Sequence, residues 1–244
     1  MSATFSNGQF EVVVERLAVD ARTVDESEAL LSDDEISRAR RFVFDRDRKH
    51  YVVARANLRK MLAERLGLRP EAIEFDYGKY GKPVLAEKVS SRSLHFNASR
   101  SNDIAVYAFA EDREIGIDVE AVRDLPDIND IADHCFSESE NASYRSLNYA
   151  DRLKGFFNCW TRKEAFVKAI GEGLSHPLQN FDVSLAPGKP AQMLRVGNVA
   201  GGDCSWELHR FSPFPGYVGA VVVERLMREK RLIKDTEIML SENT

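Results

Sequence analysis

Two short segments contain the residue types of a metal site that acts on phosphate. In the first, GIDVE at residues 116–120, Asp118 and Glu120 end an apolar, alternating run. This spacing predicts a strand on which both carboxylates point to the same face. In the second, WTRKEAFVK at residues 160–168, Glu164 and Lys168 are one turn apart on a predicted helix, about 6 Å along its axis. Three carboxylates and one ammonium group would then converge.

The ligand types indicate which metal and which substrate such a site would take. Three hard oxygen ligands, with no His or Cys among them, suit Mg²⁺ or Mn²⁺. Mg²⁺ usually completes its coordination shell with water and substrate phosphate. The substrate is therefore predicted to be a phosphate ester.

Each segment also has a purely structural interpretation. Asp118 and Glu120 could be solvated carboxylates at a strand end. The run from Thr161 to Glu164 has the spacing of a capping box, and Glu164 with Lys168 could be a surface ion pair worth about 0.2–0.5 kcal/mol. Taken alone, the second segment favours this interpretation. The metal-site hypothesis therefore depends on the two segments meeting.

The composition sets the class of protein. A chain of 244 residues with 43% hydrophobic content can bury a full core, as one domain or as two halves of about 120 residues. Its apolar runs are far shorter than the roughly 20 residues of a membrane span, and residues 1–9 have no signal-peptide core. We therefore expect a cytoplasmic protein without membrane association. The three cysteines lack metal-ligand spacing and are expected to be small buried hydrophobic residues rather than disulfides or zinc ligands.

The charge is unevenly distributed. The formal net charge of −5 argues against general nucleic-acid binding. Residues 38–65, however, contain ten basic and three acidic residues, a local net charge of +7. This density is compatible with a solvated helical face, and it also permits a local anion site, because guanidinium groups bind phosphate bidentately.

The local patterns predict a mixture of helices and short strands. A capping-box spacing at residues 32–35 predicts a helix start, and residues 47–66 show the apolar spacing of an amphipathic helix that ends at Gly67. A second long helix is predicted over residues 156–170, closed by Gly171 and Gly173. Strands are predicted at residues 10–19, 73–77, 84–85, 94–96, 104–109, 181–185, 205–210 and 217–224.

A weak internal repeat predicts two similar halves. Phe75-Asp76 recurs as Phe181-Asp182, and the GKP of residues 81–83 recurs at residues 188–190, so the offsets are 106 and 107 residues. We therefore predict an α+β fold, a pseudo-twofold arrangement of two similar α/β halves at residues 1–120 and 121–244. The strand ending at Glu120 would close the first half, which places the metal in the cleft between the halves. Two fused halves complete such a cleft within one chain, so a monomer is expected.

With these residues placed, the chain resembles the Sfp-type 4′-phosphopantetheinyl transferases over residues 32–223. Seven of the family's patterns occur in the family's order. They are Arg40-Arg41-Phe42, Tyr80-Gly81-Lys82-Pro83, Phe96-Asn97-Ala98-Ser99, Gly116-Ile117-Asp118-Val119-Glu120, Phe136-Ser137-x-x-Glu140, Trp160-x-x-Lys163-Glu164-x-x-x-Lys168 and Gly171-x-Gly173-Leu174-Ser175.

The resemblance implies a reaction and its participants. It implies transfer of the 4′-phosphopantetheine arm of coenzyme A to a serine of an apo acyl or peptidyl carrier protein, with release of 3′,5′-adenosine bisphosphate. Mg²⁺, with Mn²⁺ as the alternative, would be the cofactor and coenzyme A the co-substrate. The carriers are small acidic helical domains, and no nucleic-acid partner is implied.

The resemblance also implies roles for individual residues. Asp118, Glu120 and Glu164 match the metal ligands, and Lys168 matches the cation that neutralises developing charge, so Glu164 and Lys168 are expected to be catalytic. Glu140 matches a carboxylate that the family uses as general base, although the run from Ser137 to Glu140 also has capping-box spacing. The residues expected to bind coenzyme A are Arg38, Arg40, Arg41, Lys82, Ser99, Arg100, Lys163 and Lys168.

One position departs from the family, and two other functions compete. Arg100 stands where the family usually has His; arginine can bind pyrophosphate but cannot shuttle a proton. This departure favours a module that binds coenzyme A or a carrier without turnover. A metal-dependent nuclease is disfavoured by the four-residue spacing of Glu164 and Lys168 and by the acidic pI of about 5.7.

Overall fold

The structure is a computed structural model that describes residues 2–89, 93–173, 176–196 and 205–226. Cys204, Leu174, Ser175 and the charged tail at residues 227–244 lie outside the described residues. The helices are α1 Ala21–Glu28, α2 Asp33–Ala39, α3 Asp45–Leu66, α4 Ile128–Cys135, α5 Glu138–Ser146 and α6 Tyr149–Ile170. The strands are β1 Ser2–Ser6, β2 Glu11–Arg16, β3 Phe75–Tyr77, β4 Pro83–Leu85, β5 Leu94–Ser101, β6 Ile104–Glu111, β7 Ile115–Ala121, β8 Asp182–Val183, β9 Met193–Arg195, β10 Trp206–Phe211 and β11 Tyr217–Glu224.

The start of α2 and the ends of the two long helices, α3 and α6, follow from local chemistry. The predicted capping box of Ser32 and Glu35 starts α2, which leads into the basic segment. Helix α3 ends at Gly67 and α6 at Gly171, whose φ angles of 67° and 73° lie in the left-handed region that glycine adopts without strain. Buried apolar residues of α3, including Val52 and Leu62, pack against β6.

The strands form two antiparallel sheets of matching topology. The first has the order β1-β2-β6-β5 and the second β10-β11-β7. Chain order repeats as well: β2, α3, the β3–β4 hairpin, β5 and β6 correspond to β7, α6, the β8–β9 pair, β10 and β11. This correspondence confirms the predicted pseudo-twofold α+β fold.

Strand β7 lies in a different half from the one expected. It pairs antiparallel with β11, with Asp118 opposite Ala220 and Glu120 opposite Val218. It is therefore the first strand of the second sheet, equivalent to β2, and not the last strand of the first half. Pairing favours a boundary near residue 113 over the expected division after residue 120. Asp118, Glu120 and Glu164 consequently all belong to the second half.

The two halves are joined through β5 and β7. Asn97 Oδ1 accepts a hydrogen bond from the backbone N–H of Ile117 (3.0 Å), and Ser101 Oγ accepts one from the N–H of Ala121 (3.1 Å). On the opposite face of β7, the buried side chains of Ile117 and Val119 share a core with strands of both sheets. The first half is thereby held against the strand that contains two of the candidate metal ligands.

Gly116 allows α6 to lie directly on β7. A Cβ atom built on Gly116 would lie 2.1 Å from the carbonyl oxygen of Ala165 and 2.3 Å from the backbone nitrogen of Ala169. Any larger residue would therefore push the helix away. Because residues two apart on a strand share a face, Asp118 and Glu120 also point toward α6.

None of the helices in the described ranges is long and apolar enough to cross a membrane. Cys159 is buried in the core of the second half, as expected for a small hydrophobic residue, and Cys135 is half-buried.

Candidate functional site

Asp118 is the centre of a small polar cluster that joins β5, β7 and α6. Its Oδ1 accepts hydrogen bonds from Ser99 Oγ (2.7 Å) and from Lys168 Nζ (2.6 Å). Lys168 also donates to Ser99 Oγ at 3.0 Å. The second carboxylate oxygen of Asp118, Oδ2, is buried and has no hydrogen-bond partner among the described residues.

Glu120 and Glu164 complete the acidic part of this cluster. Ser101 Oγ donates to Glu120 Oε2 at 2.8 Å. Burial raises the pKa of Glu120, and the charge of Asp118 raises it further. Burial also raises the pKa of Glu164; the ammonium of Lys168 opposes this shift, whereas the charges of Asp118 and Glu120 add to it. The three carboxylates are thus close enough to repel one another.

The donor set fits a hard divalent cation, although the side chains are not arranged around one. Among the described residues, no three acidic, His or Cys side chains form a group that could hold a metal ion as they stand. Lys168 instead occupies Asp118 Oδ1. Two carboxylate oxygens, Asp118 Oδ2 and Glu164 Oε1, nevertheless remain buried without a hydrogen-bond partner within the described ranges. Burying unpaired anionic oxygens is costly, and a bound cation would remove that cost.

A cavity of about 340 Å³ opens beside this cluster, between α3 and the β5–β6 hairpin. Two of its lining residues, Ser99 and Lys168, also hydrogen-bond to Asp118, so the cavity and the cluster share a wall. The lining residues are Tyr51, Ala54, Arg55, Leu58, Ala98, Ser99, Arg100, Ala105, Tyr107 and Lys168.

At one wall of the cavity, aromatic rings contact positively charged guanidinium groups. The Arg100 guanidinium lies 5.7 Å from the ring centre of Phe42 and 5.9 Å from that of Tyr51. The Arg38 guanidinium lies 6.0 Å from the ring centre of Tyr51. Burial lowers the pKa of Arg100, but a guanidinium stays charged in proteins. This wall can therefore bind an anionic ligand.

Of the predicted arginine ligands, Arg100 lines the cavity, whereas Arg38 contacts Tyr51 from outside it. Arg40 and Arg41 follow α2, are exposed to solvent, and do not line the cavity. Their predicted contact with coenzyme A stays a prediction.

The Lys82 ammonium donates its hydrogen bonds to other groups of the protein. Its ammonium donates to Glu114 Oε2 (2.7 Å) and to the backbone oxygens of Ala169 (2.9 Å) and Ile115 (3.3 Å). An ammonium has three hydrogens, so all are used. Lys82 ties the last turn of α6 to the start of β7, and these contacts do not support its predicted binding to a coenzyme phosphate.

Glu140 and Lys163 form a buried ion pair. Glu140 Oε2 accepts from the N–H of Ser137 (2.8 Å) and pairs with Lys163 Nζ (2.7 Å), and its Oε1 accepts from the N–H of Val183 (2.8 Å). Lys163 also donates to the backbone oxygen of Phe181 at 2.8 Å. Both side chains are 1% exposed. The capping-box alternative is therefore confirmed, and the expected roles of Glu140 as base and Lys163 as coenzyme ligand are not supported.

We expect Glu140→Gln to affect stability and not chemistry. Leaving the Lys163 ammonium buried without its charge partner should cost about 3–5 kcal/mol of unfolding free energy. Urea unfolding measures this loss, and the turnover rate per folded molecule should remain within about twofold of wild type. Glu138→Gln, an exposed neighbour on α5, is the matched control. A large loss of turnover without loss of stability would restore Glu140 as the base.

Tyr51 and Ser101 belong to the site but were not among the predicted residues. Tyr51 lines the cavity, and its ring contacts the guanidinium groups of Arg38 and Arg100. Ser101 donates a hydrogen bond that orients Glu120. A signal for Ser101 was present, because Asn97, Ser99 and Ser101 alternate on one face of β5. The predicted strand ended at residue 96, however, so this alternation was not used.

Two family models match adjacent parts of the chain. A model described as "4'-phosphopantetheinyl transferase superfamily" matches residues 114–222, and one described as "4'-phosphopantetheinyl transferase, N-terminal" matches residues 21–112. The boundary between the two matches falls before β7, where strand pairing also divides the fold.

Curated relatives have the same description. The chain is 36% identical over 195 residues to the 4'-phosphopantetheinyl transferase HetI of Nostoc sp., covering 80% of this chain and 79% of the relative. It is 32% identical to the 4'-phosphopantetheinyl transferase of Bacillus subtilis, covering 64% of this chain and 67% of that protein. A human relative, L-aminoadipate-semialdehyde dehydrogenase-phosphopantetheinyl transferase, is 33% identical, covering 64% of this chain and 53% of that protein.

Solved structures give only distant likenesses. The holo-[acyl-carrier-protein] synthase of Thermotoga maritima has a TM-score of 0.34 and 24% identity, covering 46% of this chain and 62% of that one. A Chronobacterium ammoniagenes ACPS-CoA complex has a TM-score of 0.34 and 19% identity, covering 48% and 99%. At these scores they add nothing to the assignment.

Proposed function

Because this chain belongs to the 4′-phosphopantetheinyl transferase family and is an enzyme of that kind, we propose that it uses coenzyme A as donor and a carrier-protein serine as acceptor. The products would be a holo acyl or peptidyl carrier protein and 3′,5′-adenosine bisphosphate. The observation that supports this proposal is the shared wall of Ser99 and Lys168, which joins an arginine-lined cavity to a cluster of three carboxylates.

In this proposal the cavity between α3 and β5 holds the nucleotide part of coenzyme A. Arg100 and Arg38 are placed to bind its phosphates, since guanidinium groups form charge-assisted hydrogen bonds to phosphate oxygens. The rings of Phe42 and Tyr51 fix the Arg100 guanidinium, so little side-chain entropy is lost when the ligand binds.

Asp118, Glu120 and Glu164 would hold the divalent cation, with Mg²⁺ the ion that their oxygen donors suit best. When bound, such an ion neutralises charge on the diphosphate of coenzyme A. Ser101 keeps Glu120 oriented, and Ser99 does the same for Asp118. The cluster thus lies where a diphosphate entering from the cavity would meet it.

Lys168 is the residue of this chain that we assign to the developing charge. The serine oxygen forms a bond to phosphorus, its hydroxyl proton passes to water, and the bond to the leaving nucleotide phosphate breaks, so negative charge builds on oxygens. The Lys168 ammonium lies at the boundary between the cavity and the carboxylates and is 28% exposed, so it can reach those oxygens. We assign Glu140 no part in this step, because its side chain is 1% exposed and pairs with Lys163.

One incubation tests the function. Wild-type protein is mixed with coenzyme A, Mg²⁺ and an apo carrier protein, and the intact mass of the carrier is measured. We expect one phosphopantetheine group on the carrier only when all components are present, and none with EDTA. Binding of coenzyme A without a mass gain would support the non-enzymatic module, and cleavage of added DNA would support the nuclease. A panel of fatty-acid, polyketide and peptide carriers identifies the pathway served.

The arginine at position 100 leads to a separate prediction about how coenzyme A affinity depends on pH. Because guanidinium stays protonated, the affinity of wild-type enzyme for coenzyme A should not fall from about pH 6 to 8, where the coenzyme's phosphate monoester only gains negative charge. In Arg100→His, the imidazole is cationic only below its pKa, about 6.5, so affinity should fall as pH rises through that value. Loss of one charge-assisted contact, about 1.5–3 kcal/mol, corresponds to about tenfold or more in Kd.

Calorimetric titration of coenzyme A across this pH range measures the effect of Arg100→His. Arg69→His, at an exposed position outside the cavity and outside the predicted coenzyme ligands, is the matched control. Identical pH profiles for wild type and Arg100→His would remove Arg100 from the phosphate site.

A further inference from the structure

The segment between α2 and α3 exposes two adjacent large hydrophobic side chains. Val43 is 88% and Phe44 69% exposed. Single exposed hydrophobic residues are common, but two in sequence at the tip of a connection form a continuous apolar surface. Phe44 is also the residue that precedes the first turn of α3, so the helix fixes its position. Among the described residues, neither side chain is buried against a neighbour, so packing there does not explain the pair.

Positive charge surrounds this apolar pair. Arg40, Arg41 and Arg46 are exposed, and within the described ranges none of them forms an ion pair. The carboxylate of Asp45, which could have neutralised them, pairs with Arg48 and Lys49 instead. We define residues 40–46 as the basic knuckle: an apolar tip flanked by three exposed arginines, with the exposed carboxylate of Asp47 directly after it.

The basic knuckle lies at the rim of the proposed coenzyme cavity. Phe42, inside the same segment, has its ring centre 5.3 Å from that of Tyr51, which lines the cavity. The Arg100 guanidinium lies over both rings. The exposed side chains of Val43 and Phe44 therefore directly follow a residue that contacts the cavity wall.

We propose that the basic knuckle is the docking surface for the apo carrier protein, with Val43 and Phe44 inserted between apolar side chains of the carrier and the arginines facing its acidic residues. The proposal rests on the proposed function and adds the location of the partner. An acceptor serine must come within bonding distance of the phosphorus beside Lys168, so its carrier has to touch the rim of this cavity. A surface that is both cationic and apolar at that rim complements an acidic helical domain in charge and in chemistry.

Steady-state kinetics against carrier concentration test the proposal, with the double variant Val43→Ser/Phe44→Ser. We expect the KM for the carrier to rise about tenfold or more, as for the loss of buried apolar anchors at an interface. The kcat at saturating carrier and the Kd of coenzyme A should stay at wild-type values. Unchanged melting temperature verifies folding of the variant.

Tyr149→Ser provides the matched control. Tyr149 is 90% exposed and begins α6, about 28 Å along the helix axis from Lys168. Its replacement should leave the carrier KM unchanged. Arg46→Glu supplies a charge test: it should raise the carrier KM at low salt and weaken the dependence of that KM on ionic strength.

Three results would overturn the proposal. An unchanged carrier KM in the double variant would exclude the knuckle as the docking surface. A loss of kcat at saturating carrier would mean that these residues act on chemistry. Loss of binding to anionic phosphatidylserine vesicles, with an unchanged carrier KM, would assign the knuckle to a membrane surface. Failure of wild-type enzyme to modify any carrier would instead refute the proposed function, so the two failures are distinguishable.

Discussion

Replacing Asp118 by Asn, or Glu164 by Gln, is expected to reduce transfer to the carrier at least about a thousandfold at saturating coenzyme A. Each change keeps the shape of the side chain and removes one negative charge. The unpartnered oxygens of both residues are the atoms that we assign to the metal, and a bound metal ion contributes several kcal/mol of charge stabilisation. The initial rate of carrier modification, measured by mass spectrometry over a Mg²⁺ series, gives the result.

Exposed carboxylates provide the matched controls for these two variants. Asp124 lies just after β7, Glu111 ends β6, and both side chains are exposed. The control variants are Asp124→Asn and Glu111→Gln. They should retain wild-type rates. Near-normal turnover of Asp118→Asn or Glu164→Gln at saturating Mg²⁺ would remove that residue from the site.

Lys168→Met is expected to lower kcat by about 10²–10³ while changing the Kd of coenzyme A less than about threefold. The change keeps the length of the side chain but removes the cation that lies between the cavity and Asp118. A preorganised charge that acts mainly on the transition state affects the rate more than ground-state binding. Single-turnover rates and calorimetric titration separate the two quantities.

Lys154→Met, at an exposed position on the same helix, controls for loss of a charge on α6. If Lys168→Met weakened coenzyme binding and left kcat unchanged, Lys168 would be a binding residue only.

The local pattern predicted the acidic face of β7 and the ends of the long helices well. The two-residue period of Asp118 and Glu120, and the glycine at residue 116, fix which face of the strand meets α6. The capping box at Ser32 was likewise predictable, because it depends on residues only three positions apart. Such features depend on short-range chemistry.

Strand partners were less predictable. The alternation in residues 115–121 indicates a strand, but nothing local shows that it pairs with β11 over 90 residues later. The sequence repeat located the β3–β4 and β8–β9 pairs, but it did not locate the boundary between the two halves of the fold. For that reason the cleft was expected to take acids from both halves, whereas the first half contributes Ser99, Ser101 and Arg100.

Contacts inside the protein argue against the predicted roles of three motif residues. Glu140, Lys163 and Lys82 occur in patterns of the family, yet each has its polar atoms satisfied inside the protein. A sequence shows which groups could do chemistry, but the neighbours that occupy those groups come from distant segments. Glu140, for example, meets the N–H of Val183, 43 positions later.

Titration of Mn²⁺ into the wild-type enzyme, followed by the electron paramagnetic resonance of the free ion, tests the central claim most directly. If Asp118, Glu120 and Glu164 hold the divalent cation beside the coenzyme cavity, wild-type protein saturated with coenzyme A should bind one Mn²⁺ per chain. Asp118→Asn and Glu164→Gln should each weaken that binding about tenfold or more, and Asp124→Asn should not. Equal Mn²⁺ affinity in all four proteins would contradict the account.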